Sequence, residues 1–245
     1  MTGALLATQV AIVTGGGRGF GRAIAETLAG LGANVVVASR NAPQLDVVAN
    51  AIKKQGGKAL AQTADVADDR QVQELVLAAE RWVGPPTILV NNAGVLDPIG
   101  PLAQTSGTMW LRNIAINVGG TYLVTRAVLP GMLDRDYGRI VNISSGAADR
   151  ASAGWSAYCA AKAAVDQLTR VLALEMDGSG VSVSAFHPAY VDAPIQEGGP
   201  SKDPHDPARV VAYLCLPTTQ RSGAVLEIGD TEVVGAAEAA LSGAG

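Results

Sequence analysis

Short apolar, β-branched runs alternate with longer helical segments along the chain, and that alternation constrains the fold more than any other feature. Runs over residues 10–14, 34–39, 58–63, 87–91, 139–144, 181–185 and 224–228 have the length and residue types of strands. Between them lie segments of helical length, over residues 20–31, 43–55, 69–83, 108–135, 155–176 and 207–216. Several strand runs are almost wholly apolar, as in NVVVAS at 34–39, which suits strands buried on both faces. Parallel pairing of successive strands needs a crossover, and a helix supplies it. The pattern therefore predicts an α/β fold: one doubly wound domain over residues 1–245, its parallel seven-stranded sheet covered by helices on both faces. Punctuation agrees with this reading. Gly32 and Gly56-Gly57 follow helical segments, Asp68 is placed to cap one, and Gly84-Pro85-Pro86 stops it.

Composition narrows the function classes. Aromatic residues are only 4% of the chain, so the core is built from Ala, Val, Leu and Ile. A net charge of −4 without a basic run argues against nucleic acid as a partner. No apolar stretch reaches the ~18 to 20 residues of a membrane span, so no membrane partner is expected. The apolar start over residues 4–13 has no basic leader and reads as a strand entering a loop. Cys159 and Cys215 make no disulfide framework and read as reduced thiols of a cytoplasmic protein. Neither cysteine, nor His187 or His205, has partners at metal-ligand spacing, so no metal site is expected. Residues 193–207 (APIQEGGPSKDPHDP) form a Gly/Pro-rich insertion, either a surface connection or a flap over a site. The Ala/Gly-rich tail over 235–245 is expected to be poorly ordered.

The first strand runs straight into Thr14-Gly15-Gly16-Gly17-Arg18-Gly19-Phe20-Gly21, and a helix begins at once. Glycines there let the backbone turn sharply and approach a pyrophosphate at the positive end of a helix, as in Rossmann-type dinucleotide sites. Tyr158 and Lys162 stand four apart on a later helical segment, hence on one face. A lysine ammonium beside a tyrosine favours the phenolate, and the phenol can then exchange protons nearer neutral pH. Ser145 follows the fifth strand, at the edge where parallel sheets place their chemistry.

The T-G-x-x-x-G-x-G spacing resembles the short-chain dehydrogenase/reductase family in its standard-length form, over about residues 8–195. The resemblance extends to Asp65-Val66, Asn91-Asn92-Ala93-Gly94, Asn117 and the Ser145, Tyr158, Lys162 set. It implies catalytic roles for Asn117, Ser145, Tyr158 and Lys162. Tyr158 would donate or accept the proton, Ser145 hold the substrate oxygen and Asn117 anchor a relay water, while Lys162 would also reach the nicotinamide ribose. It implies cofactor contacts at Gly15, Arg18, Gly19, Phe20, Gly21, Ser39, Arg40, Asp65, Val66, Asn92, Ala93, Gly94, Tyr158, Lys162, Pro188 and Val191. The second strand ends Ala38-Ser39-Arg40-Asn41 without a carboxylate, so Arg40 and Ser39 can bind a ribose 2′-phosphate. With Arg18 in the glycine loop, the expected cofactor is NADP(H). A homodimer or homotetramer is also implied, with the Ala-rich face around Ala160, Ala164 and Val171 either between subunits or buried within one.

The chain departs from the family at Pro188-Ala189-Tyr190-Val191-Asp192-Ala193, where P-G-x-V-x-T is usual, and at Gly229-Asp230. The stretches 144–148 and 154–159, with 98–101, resemble the sepiapterin- and benzil-reductase-like branch, which implies small ketone or dicarbonyl substrates. Trp155 and Tyr190 are candidates for an apolar pocket or for packing. Three functions are consistent with the sequence: a carbonyl reductase, an alcohol or sugar dehydrogenase working oxidatively, and a non-catalytic NADP(H)-sensing regulator.

Overall fold

The computed structural model describes residues 4–188 and 205–242. Seven strands pair in parallel in the order β3-β2-β1-β4-β5-β6-β7: β1 Val10–Thr14, β2 Asn34–Ser39, β3 Lys58–Thr63, β4 Ile88–Asn91, β5 Gly138–Ile143, β6 Val181–His187 and β7 Val225–Glu227. The predicted parallel sheet is the observed one. The chain winds outwards from β1 to β3, returns to the middle for β4 and then winds the other way. A crevice therefore opens above β1 and β4, at their C-terminal ends.

Alternation along each strand splits the core into two layers. Ala11 and Val13 face one layer, which α1 (Gly19–Gly30), α2 (Ala42–Lys54), α7 (His205–Leu214) and α8 (Thr231–Leu241) cover. Ile12 and Val36 face the other, closed by α3 (Asp69–Val83), α5 (Gly120–Asp134) and α6 (Ser156–Glu175). Asn41 and Asp68 cap α2 and α3, their side chains accepting from Gln44 N and Gln71 N. The long helix expected over 108–135 is α4 (Gly107–Ile114), a π-helical segment over Ala115–Gly119, and α5.

One expectation changes. The tail over 235–242 is helical rather than loose, since α8 starts on an Asp230 cap and buries Val233, Ala237 and Leu241. Its period of four apolar or small residues is what the Ala/Gly content obscured. At the other end residues 5–8 form a turn, and β1 begins at Val10, as the sequence predicts.

Arg139 fastens the sheet to the C-terminal layer. Its buried guanidinium donates to the carbonyls of Gly138, Gly180, Leu216 and Pro217 and lies over the Tyr137 ring, 4.7 Å from its centroid. Arg139→Met would strand these carbonyls. It is expected to cost about 3 kcal/mol and to lower Tm by roughly 10 °C, read by thermal denaturation.

Candidate active site

The crevice above β1 and β4 is a cleft of about 1220 Å³. Its floor is the glycine loop, held by a clasp between two strand ends. Asn92 N and Ala93 N both donate to Thr14 Oγ1, while Asn92 Nδ2 donates to the carbonyls of Thr14 and Gly15. The clasp leaves no space for side chains nearby. A Cβ on Gly21 would lie 2.4 Å from Asn92 Nδ2 and from Gly15 O. Gly15 and Gly19 adopt φ of +65° and +52°, a left-handed backbone that glycine takes without strain.

The loop delivers the chain into α1, which has no side-chain cap at Arg18 and no acidic residue in its first turn. Its leading N–H groups therefore face the cleft unneutralised, as an anion site requires. Arg18, Ser39 and Arg40 line the same end of the cleft. Arg40 has only a loose ion pair, 3.9 Å from Asp65 Oδ2, and more than half of its side chain is exposed. Asp65 is held by its own turn, its Oδ1 accepting from Ala67 N. Cleft, glycine cradle and open helix terminus together fit a dinucleotide.

The other end of the cleft is built by β5 and α6. Ser145 follows β5, and Ser144, Ser145, Trp155, Tyr158, Lys162 and Pro188 line the wall. Ser144 is turned away from the reacting side, donating to the Lys162 carbonyl at 3.3 Å. The Ser145 hydroxyl accepts from Ala147 N at 3.2 Å and stands close enough to the Tyr158 phenol to favour its ionised form. Trp155 packs edge-on to the Tyr158 ring, with centroids 5.9 Å apart. Lys162 is buried, donates from Nζ to Ile143 O at 2.7 Å, and lies 5.6 Å from the centre of the Tyr158 ring.

These contacts correct the expected electrostatics of the tyrosine. Burial pushes the Tyr158 phenol above its ordinary value, and the neighbouring Ser145 hydroxyl only partly offsets this. Lys162 Nζ donates instead to the Ile143 carbonyl. Burial also brings Lys162 down to about 8, with the Asp166 carboxylate acting in the opposite sense.

Every expected site residue among those described lines the cleft except Asn117. Asn117 stands behind the wall, buried in the π-helical segment. Its Nδ2 donates to Val95 O and to both oxygens of Asn113, and its Oδ1 accepts from Val95 N. The side chain thus braces the strand exit beside Gly94, where a Cβ would meet Asn117 Oδ1 at 2.6 Å. Val191, Ala189, Tyr190 and Ala193 lie outside the described residues, as does most of the 193–207 insertion.

Sequence reasoning missed Arg150, which lines the cleft near Gly146. It also gave His187 no carboxylate neighbour, and the fold supplies two. Asp166 Oδ2 lies 2.9 Å from His187 Nε2 and Asp149 Oδ2 lies 3.9 Å from Nδ1. These partners are 21 and 38 positions away, so no spacing rule would find them. The thiols are both free: burial pushes Cys215 up to about 12, which makes it inert.

The family model for short chain dehydrogenase matches residues 9–203. The chain belongs to the short-chain dehydrogenase/reductase family. A short chain dehydrogenase of Pseudocercospora fijiensis (strain CIRAD86) is 36% identical over 76% of this chain and 61% of its own length. The cis-4-hydroxycyclohexanecarboxylate dehydrogenase of Sinomonas cyclohexanicum is 38% identical, covering 81% of this chain and 80% of its own. Among solved structures, a levodione reductase superposes with a TM-score of 0.87 at 26% identity, covering 93% of this chain and 98% of its own. As a short-chain dehydrogenase/reductase, the chain is an oxidoreductase that works with a nicotinamide cofactor.

The clasp yields a direct test. Gly21→Ala is expected to weaken dinucleotide binding at least about tenfold, because the Asn92 amide has to give way. Gly30→Ala, at the open end of the same helix with nothing within 4 Å of an added Cβ, should bind normally. Cofactor titration by fluorescence compares them.

Proposed function

We propose that this short-chain dehydrogenase/reductase is an NADP(H)-dependent reductase of small ketones or dicarbonyls. The observation that carries the reading is the shared cleft: Arg18 and Arg40 at one end, and Ser145, Tyr158 and Lys162 at the other. The cofactor, when bound, supplies the hydride. Gly15, Gly19, Phe20 and Gly21 would hold its pyrophosphate, and Asp65, Val66, Asn92, Ala93 and Gly94 its adenosine and ribose portions. Lys162, Pro188 and Val191 would seat the nicotinamide end. Arg40, Ser39 and Arg18 favour a 2′-phosphate, since a guanidinium pairs with phosphate through two N–H groups and no carboxylate ends β2.

The chain's own residues handle the proton. Ser145 donates a hydrogen bond to the carbonyl oxygen, and Tyr158 passes its proton to that oxygen as negative charge develops there. A phenol raised by burial holds this proton at neutral pH, which suits the reductive direction. The buried Lys162 ammonium then stands behind the phenolate. Asn117 supports the site by holding the Val95 backbone in place, and we assign it the family's relay-water role through that position. Outward-facing Leu111 on α4, Tyr122 on α5, and Ala160, Val171 and Leu174 on α6 support pairing of copies across these helices as a homodimer or homotetramer.

The reading is tested by following NADPH and NADH oxidation over a panel of ketones and diketones. Tyr158→Phe should lose about 10²- to 10⁴-fold in turnover while still binding cofactor. Arg40→Ala should cost roughly 10- to 100-fold in kcat/KM with NADPH and little with NADH. Equal use of both cofactors by the unaltered protein would overturn the 2′-phosphate assignment. Full activity of Tyr158→Phe would overturn the proton route, and cofactor binding without turnover would favour the regulator.

A second reading is favoured by Arg150. A Cβ built on Gly146 would lie 3.4 Å from its Nη2, so the guanidinium sits at the substrate end of the cleft. Its pair with Glu227, at 3.9 Å between exposed groups, is weak. A cation there suits a ring-borne secondary alcohol that also carries a carboxylate, the kind of compound named for the Sinomonas relative. On this reading Arg150→Ala raises KM for such a hydroxy acid roughly 10- to 100-fold and leaves an uncharged ketone unaffected, as steady-state kinetics would show.

A further inference from the structure

Behind the wall that carries Tyr158, a second set of ionisable groups is buried and has no part in the proton route described above. Asp166 follows Lys162 by four residues on α6, so the two side chains share a face. Both are almost fully buried, at 5% and 2% relative exposure. A buried carboxylate has to be paired or bonded. Asp166 Oδ2 takes its bond from His187 Nε2 at 2.9 Å, and this nitrogen must carry the proton because a carboxylate only accepts. Among the described residues Asp166 Oδ1 has no hydrogen-bond partner.

Among the described residues, the neighbours on each packed element leave one cation to balance it. On α6 itself stand Tyr158 and Lys162. The segment after β5 brings only the exposed Asp149, 3.9 Å from the far nitrogen of His187, and β6 brings His187. The last turns of β5 offer the uncharged Asn142 and Ser144 and the carbonyl of Ile143. Arg150 is turned to Glu227 on β7. The Lys162 ammonium uses one of its three donors on Ile143 O and lies 5.6 Å from the centre of the Tyr158 ring, while the Asp166 carboxylate, one turn further along α6, favours its charged form.

We infer that Asp166, oriented by His187, is a positioning residue that keeps Lys162 charged behind Tyr158. The inference rests on the reductase reading above for its effect on turnover, though not for its effect on the lysine. A lysine brought down by burial is cationic only below its own pKa, so its charge is lost as pH rises through about 8. Without the Asp166 carboxylate that loss moves to lower pH. His187 acts one step further back. Removing its N–H leaves a buried carboxylate with no donor at all, and burial then disfavours the charge that Lys162 depends on.

Asp166→Asn keeps the volume and removes the charge. The alkaline limb of kcat for carbonyl reduction should move down by at least about one pH unit, making the loss roughly fivefold larger at pH 8 than at pH 6. His187→Ala should shift the limb in the same direction, and His187→Gln, which restores an N–H, should recover much of it. The same samples, with ¹³C-labelled lysine, report Lys162 directly by NMR, its signal being identified by its absence from Lys162→Arg. Its titration should move down in Asp166→Asn whether or not a substrate has been found. A lysine titration unchanged in Asp166→Asn, or a loss of turnover equal at every pH, overturns the inference. Absence of turnover in the unaltered protein with a shifted lysine titration overturns the reductase reading alone.

Discussion

The clasp between Thr14 and Asn92 is the contact on which the site depends. It joins the C-terminal ends of β1 and β4, the two strands from which the chain winds in opposite directions. A parallel sheet opens a crevice at that point wherever its winding reverses. The clasp turns the crevice into a shaped floor by fixing the glycine loop through the Gly15 carbonyl. It also explains why Gly15 and Gly21 are glycines, since both pack on the Asn92 amide with no room for a Cβ. Both ends of the cleft take their positions from this floor. α1 starts from it, and β5, which carries Ser145, pairs directly with β4.

A second set of polar contacts fixes the opposite wall. Asn91 Nδ2 donates to Asn142 Oδ1 and Thr125 Oγ1, and Asn142 Nδ2 donates to Thr169 Oγ1. This chain of buried amides and hydroxyls ties β4 and β5 to α5 and α6. Apolar packing alone would let α6 slide by fractions of a turn, whereas these bonds accept one register. Lys162, two turns before Thr169 on α6, inherits that register, and so does Tyr158.

Much of this was legible in the sequence because it is local. Strand runs such as NVVVAS, caps such as Asp68 and the glycine loop each declare themselves within a few residues. So does the Tyr158–Lys162 pair, whose shared face follows from helical geometry. What was not legible depends on contacts distant in the chain. The phenol of Tyr158 lies above its ordinary value because packing buries it, and Lys162 donates to the Ile143 carbonyl; neither fact has a sequence signature. His187 gains Asp149 and Asp166 only through the packing of β6 against α6. The helical tail was hidden for a different reason: alanines and a glycine mask a four-residue apolar period that only docking onto the sheet reveals. Asn117 was recognisable as a residue type in the right segment, but its place behind the wall follows from the π-helical turn.

Arg139 has a consequence for the order in which the chain can complete itself. Its guanidinium collects carbonyls from positions 138, 180, 216 and 217, so the bonds that make its burial tolerable come from three stretches synthesised at different times. A chain emerging from the ribosome has β5 available well before Leu216 and Pro217. Until those carbonyls arrive, a cation placed at the edge of the growing sheet opposes its closure. The bonds that complete the Arg139 site are therefore supplied only with the last eighth of the chain.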